Sequence, residues 1–477
     1  MRKTTRKTIL AILLALCALA LLLPLLITTD VPALLDRMDP QGLAANDTRM
    51  LRARERVTES LREGDRARVL RSLDRYTEGF GDKLELGGAV GLSLFAYRSG
   101  PSLAAMGLFL LAAAAALLAS AYAKKEWQKK AAIRLGAVAA LFAGLYILEN
   151  TVGSDSMLVM VLKKGAIYAL IAVSMNLLNG FTGLFSLGQA GFMLIGAYTF
   201  AILTIPQGFR AQVYEYFNGG LVQFALPVLP GIAAAGLMAA FFAFLIGLPV
   251  LRLKSDYLAI ATLGFAEIIR AVFQYSGLGP LTNGSNLLRR FPTFSTILFP
   301  FAVAGACVAL IALLIHSTYG RAFKAIRDDE VAAEAMGVNL YRHKQTAFVI
   351  SSFFAGVGGA LLAMYQTTVQ ASAFTSAMTY EILLIVVIGG MGSLSGSVLA
   401  SFLFVASSEW WLRFMDNEQV IGGFRVPLMR SGFRMVFFSA VIMAVVLFYR
   451  RGIMGDRELS LSRLFGRFAR KGGKHGA

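Results

Sequence analysis

Residues 296–315 read TILFPFAVAGACVALIALLI, twenty positions without a charged side chain. A helix of that length rises about 30 Å, the thickness of a bilayer's hydrocarbon core. The sequence then changes character abruptly. Residues 319–344 read YGRAFKAIRDDEVAAEAMGVNLYRHK, a short stretch dense in charges of both signs. An apolar run that can cross a membrane is followed by a loop that cannot, and this contrast sets the class.

Working outward from it, similar runs recur along the chain. Of 477 residues, 57% are hydrophobic and 16% charged, with a mean hydropathy of +0.64. A soluble domain of this length needs more charge to cover its surface. The runs lack the two-residue alternation of an outer-membrane barrel. The predicted fold class is therefore all-α, a polytopic transmembrane helical bundle.

The formal charge of +18 is distributed by side, which excludes a nucleic-acid groove as its purpose. Arg2, Lys3, Arg6 and Lys7 open the chain, Lys124, Lys125, Lys129 and Lys130 form a cluster, and Arg450–Ala477 carries eight Lys/Arg against Asp456 and Glu458. Taking these as cytoplasmic threads the chain into roughly twelve crossings with both termini inside. The sequence divides into a first transmembrane helix (1–28), a charged extracytoplasmic helical insert (29–100), additional transmembrane helices (101–164), a core (165–449) and a basic cytoplasmic tail (450–477). Ile9–Thr28 is long for a cleaved signal segment, and Leu16 before Cys17 suits lipoprotein cleavage poorly, so this run reads as a retained helix. In the insert, Met50, Val57, Leu61, Val69, Leu70 and Leu73 recur at helical spacing. Either a solvated cap or contact with an extracytoplasmic partner fits that pattern. Lys163 and Lys164 read as residues that snorkel to the outer interface. Cys17 and Cys307 lie in apolar runs, and His316, His343 and His475 are too scattered for a metal site.

Three features carry more than architecture. Two segments are interrupted by glycine: NGFTGLFSLGQAGFMLIGAYTF, with Gly183, Ser186, Gly188 and Gln189, and VIGGMGSLSGSVLAS, with Gly390, Gly392 and Ser393. The two share a short pattern, residues 183–188 against 390–395. Clustered glycine breaks helices, and freed backbone groups survive at membrane depth only beside protein or a watery cavity. Both close packing through small residues and lining of a transport path fit. Glu267 and Arg270 lie about ten residues, roughly 15 Å, inside Tyr257–Tyr275. Charges at that depth pair or face a wet interior, so a structural ion pair and a path-lining role both remain open. Finally, the charged loop contains an Ala-rich helix, Asp329–Met336, stopped by Gly337.

That loop resembles the coupling loop of ABC-importer permeases, whose signature is Glu-Ala-Ala, three residues, then Gly. Here the spacing falls on Val331, Ala332, Ala333 and Gly337, with Glu330 displaced by one. YALIAVSMNLLNGFTGLFSLGQAGFMLIGAYT, SDYLAIATLGFAEIIRAVF, STYGRAFKAIRDDEVAAEAMGV and EILLIVVIGGMGSLSGSVLAS resemble, in order, segments of the LIV-type branched-chain amino-acid ABC-transporter permeases. The resemblance covers about Ile167–Phe448. It implies a permease in a bacterial inner membrane. Its implied partners are a homologous second permease, two cytoplasmic ATPase subunits and an extracytoplasmic substrate-binding protein. It implies ATPase coupling through Glu330, Ala332, Ala333, Glu334 and Gly337, and a path near Gly183, Ser186, Gly188, Gln189, Glu267, Gly390, Gly392 and Ser393. No catalytic residue, metal or bound cofactor is expected. The chain lacks a G-x-x-x-x-G-K-[ST] loop, so ATP is expected to be used by partner subunits. Importers of urea, amides or other amino acids share the pattern. An ion-coupled secondary transporter would carry more intramembrane carboxylates, and a membrane-embedded transferase would need clustered Asp, His and Arg.

The threading makes a direct prediction. Single cysteines replacing Arg2, Lys124 or Arg450, in a variant lacking Cys17 and Cys307, should resist an impermeant thiol reagent in intact cells, whereas one at Arg62 should react. Labelling at position 450 from outside would overturn the threading.

Overall fold

A computed structural model describes residues 136, 138–149 and 156–411 apart from 218, 253, 254 and 295, with 420–421, 424–425, 440, 443 and 452–454. The first helix, the insert, Pro101–Ala123 and nearly all of the tail lie outside these residues. Two compact units divide the chain, residues 1–153 and 154–477. In the first, an apolar helix α1 covers Val138–Glu149.

The second unit is a helical bundle. It contains α2 (Met157–Asn176), α3 (Gln189–Thr204), α4 (Gln207–Val213), α5 (Val228–Val250), α6 (Ser255–Gln274), α7 (Gly279–Thr282), α8 (Leu298–His316), α9 (Thr318–Asp328), α10 (Glu330–Ala335), α11 (Leu340–Gln366), α12 (Ser376–Gly389) and α13 (Leu394–Ala406). One two-residue antiparallel ladder joins β1 (Val420–Ile421) to β2 (Phe424–Arg425). Five of the described helices are long and apolar enough to cross a membrane. The chain is a multi-pass helical membrane protein.

Two expected crossings, Tyr257–Tyr275 and residues 296–315, appear as α6 and α8 within two residues of their predicted bounds, whereas α2 is shifted. Helix α2 begins at Met157, ahead of the expected Gly165 and across the 164/165 boundary. Lys163 and Lys164 look like interface charges in the sequence, yet Lys163 is buried and Lys164 pairs with Glu409 near the end of the α13 segment. The snorkelling reading of these two lysines is therefore replaced by burial and an intramolecular ion pair. A partner distant in sequence rescues the charge, and no local pattern announces it.

Helices α2, α3 and α11 form the centre, with α5, α6 and α8 outside them. Small residues allow this. A Cβ added to Gly196 of α3 would strike the Gly356 backbone of α11, and one on Gly359 would strike Met193. The other side of Gly356 meets Ala235 and Ala239 of α5, the latter at 2.6 Å from an added Cβ. Between helices already apolar to lipid, such close backbone approach supplies the packing that hydrophobicity does not.

The end of α3 remote from its N-terminus carries a knitted cap. Arg210 of α4, only 2% exposed, donates to the carbonyls of Ile202 at 3.0 Å, Phe224 at 2.6 Å and Val222. It fastens the two ends of the loop between α3 and α5 together at the end of α3. Tyr214 donates to the Leu281 carbonyl at 3.0 Å, and burial pushes its phenol up to about 12, so the donor proton stays in place. Asn283, in the left-handed region, donates to Val213 and Leu287 carbonyls.

Arg210→Met should strip the cap of its charged donor and cost about 3 kcal/mol, because three carbonyls lose a cationic hydrogen bond together. Thermal unfolding in detergent, followed by far-UV circular dichroism, should show a lowered midpoint. An unchanged midpoint would contradict the role assigned to Arg210.

Candidate coupling and translocation site

The charged loop folds as two helices joined by a one-residue corner. Phe323 and Ile326 of α9 are buried and hold it against the bundle. Asp329 is extended (φ −161°, ψ 113°), and its Oδ1 accepts from the Val331 and Ala332 amides at 2.9 and 3.0 Å. This is a helix N-cap, and it starts α10 within the predicted Asp329–Met336. Gly337 ends the helix at φ +86°, with its N–H on Glu334 and the Val338 N–H on Ala333. Only the strain of the left-handed region bars a larger residue there, since nothing lies within 4 Å of an added Cβ.

Ala333 packs inward, while Ala332 and Glu334 face out. Glu330 is engaged: its Oε2 takes Lys344 of α11 at 2.6 Å. Glu334 is exposed, while Glu330 ties α10 to α11. What the sequence reading missed is apolar. Val331 is 78% exposed and Met336 84%, so the tip of α10 offers two bare hydrophobic side chains.

The interrupting glycines are of two physical kinds. Gly183, Gly390 and Gly392 have φ of +76°, +110° and +87° and make turns. Gly188 instead lets backbones approach, since its Cβ would sit 3.0 Å from the Thr262 carbonyl oxygen of α6. The short shared pattern has a structural meaning. In each copy a left-handed glycine is followed three residues on by a serine that receives an N–H at the next helix start: Ser186 from Gly188 at 3.4 Å, and Ser393 from Gly396 at 3.1 Å. Asn176, at the end of α2, reaches across to the second copy. Its Oδ1 accepts from the Gly392 amide at 2.9 Å, and its Nδ2 donates to the Ser393 carbonyl and the Ser397 hydroxyl. An asparagine inside an otherwise apolar run was the available signal.

Between the π-helical turn Leu177–Phe181 and α3 the chain is non-helical, and side chains satisfy its amides. Asn179 exchanges hydrogen bonds with the Ser186 backbone. Thr262 of α6 accepts from the Leu187 N–H at 3.0 Å, and Thr379 of α12 from the Ala190 N–H at 3.2 Å. Gln189 donates to Ser174 at 2.7 Å. Thus Ser186, Gln189 and Ser393 are buried and hydrogen-bonded within the bundle.

Glu267 and Arg270 pair at 2.6–2.8 Å along α6, as their spacing predicts. Neither is enclosed: Arg270 is 31% and Glu267 38% exposed. Their neighbours Ile260 and Ile268 are exposed too, so the pair lies apart from the glycine turns, toward the outward side of α6.

Residues 157–447 match the profile of a family described as the permease component of the branched-chain amino acid transport system. The chain is 37% identical over 298 residues to the high-affinity branched-chain amino acid transport system permease protein LivM of Escherichia coli K12, covering 55% of this chain and 66% of that protein. It is 23% identical over 340 residues to the probable LivM permease of Methanocaldococcus jannaschii, covering 64% and 95%. Against the E. coli LivH permease it is 22% identical over 320 residues, covering 62% and 93%. The chain thus spans just under two thirds of its E. coli LivM relative. No solved structure matches it. With the family match covering more than half of the chain and the glycine-turn core lying within it, this protein belongs to the branched-chain amino acid transport permease family.

Proposed function

We propose that the chain is the membrane-spanning subunit of an ATP-driven ABC importer for branched-chain, hydrophobic amino acids. It works with a homologous second permease, two cytoplasmic ATPase subunits and an extracytoplasmic binding protein, in a bacterial inner membrane with both termini cytoplasmic. ATP hydrolysis belongs to the partner subunits, and this chain binds no cofactor. The observation that carries the reading is α10 in a permease-family chain. Its exposed Val331 and Met336 form an apolar knob, and its base is fixed to α9 by the Asp329 cap and to α11 by Lys344. Apolar side chains at a rigid, exposed tip are the anchors that a cleft on a soluble partner can take. Closure of the ATPases displaces this knob, and the packed helices behind it move as bodies, which gives alternating access.

The path runs past the glycine turns and the α6 face. A pair of charges roughly 15 Å deep in the membrane is too costly against lipid. Glu267 and Arg270 accordingly face the path shared with the second permease, where water and protein solvate them.

The test is leucine uptake by proteoliposomes holding the assembled importer. Gly337→Asp should reduce uptake and ATPase co-purification about tenfold, while membrane insertion stays normal. In the same assay Glu267→Leu with Arg270→Leu should impair uptake but leave co-purification intact. Undiminished uptake by the Gly337 variant, or strong uptake without ATP, would contradict the proposal.

A further inference from the structure

Arg327, the penultimate residue of α9, is absent from the sequence-derived site, yet it touches both glycine turns. Its Nη1 donates to the Gly180 carbonyl in the π-turn at 3.2 Å. A Cβ on Gly392 would lie 2.9 Å from that same Nη1, and one on Gly183 would lie 3.1–3.3 Å from Cγ, Cα and Cβ of Arg327. Two residues hold the left-handed backbone against one side chain. On its other edge the guanidinium meets Asp328, with Nε and Nη2 at 3.1 and 3.0 Å from Oδ1. Asp328 abuts Asp329, the cap of α10. One turn earlier, Lys324 sits 5.7 Å from the ring centroid of Phe181, the last residue of the π-turn.

We infer that Arg327 is the positioning residue through which displacement of α9 and α10 reaches the two glycine turns. The inference rests on the coupling role proposed above for α10. Its ion pair with Asp328 is half in water and contributes little to stability. The fork geometry is what matters: a planar guanidinium holds Asp328 on one edge and a carbonyl on another, and an ammonium cannot bridge both. Beyond Gly392 the chain of contacts runs through the Asn176 amide to Ser393 and Ser397 of α13. Movement of α9 therefore has a contiguous polar route to the ends of α2 and α13. A shift of this kind requires turns that can change their arrangement, which left-handed glycines permit at low strain.

Two measurements on Arg327→Ala and Arg327→Lys test this. In the purified full-length permease alone, amide hydrogen exchange should quicken about tenfold in Arg327→Ala within residues 177–188 and 388–397, with 345–362 of α11 unchanged. In the assembled importer, Arg327→Ala should lose about tenfold in leucine uptake while ATPase subunits co-purify and hydrolyse ATP as in wild type. Arg327→Lys should keep the fold but recover uptake only partly. A purely structural role would instead lower hydrolysis, assembly and uptake together, and Lys would restore all three. Uptake by Arg327→Ala within about twofold of wild type, or unchanged exchange in both turns, would overturn the inference. Failure of wild type to recruit ATPases or take up leucine would refute the proposed function, and the exchange arm would still decide the fate of Arg327.

Discussion

Every break in an apolar helix frees backbone donors and acceptors that hydrocarbon cannot satisfy. The whole core follows from how this chain meets that demand. Between α2 and α3 it does so with Asn179, Ser186, Thr262 and Thr379, each turned onto a backbone group that lacks a helical partner. Between α12 and α13 it uses Asn176 and Ser393. Because Thr262 and Thr379 come from α6 and α12, satisfying the breaks also fixes which helices surround them. Remove the breaks, and α3 and α13 have no reason to start where they do.

The same residues give the bundle two regions of different stiffness. Along α3, α11 and α5, Gly196, Gly356 and Gly359 bring backbones into direct contact, so this slab has no room to repack. At the turns, Gly392 is held by one hydrogen bond to Asn176 and Gly183 lies against the flank of Arg327, contacts that rearrange at modest cost. A rigid slab with compliant turns at the end facing α9 is a lever, and the exposed tip of α10 is where force can enter it.

Much of this was legible in the sequence. Run length and charge bias place α6 and α8 within two residues of their observed bounds. The Ala-rich stretch and Gly337 define α10, because capping and helix stop are local chemistry. What escaped depends on long-range contact. The start of α2 is hidden because Lys164 finds Glu409 only in three dimensions. Arg210 looks like an ordinary loop charge until three carbonyls converge on it. Glycines that turn and glycines that pack are the same letter, and φ alone separates Gly392 from Gly188. Val331 and Met336 read as ordinary apolar helix positions, since their exposure follows from Ala333 being the residue that faces inward.

The tip of α10 is the proposed seat of an ATPase subunit. The most direct measurement replaces Met336 with the photo-crosslinking amino acid p-benzoylphenylalanine in cells that make the complete importer. Irradiation should join this chain to the ATPase subunit. The same probe in place of Leu313, exposed on α8, should yield no such adduct. Absence of an ATPase adduct at position 336, with the importer assembled and active, would contradict the account.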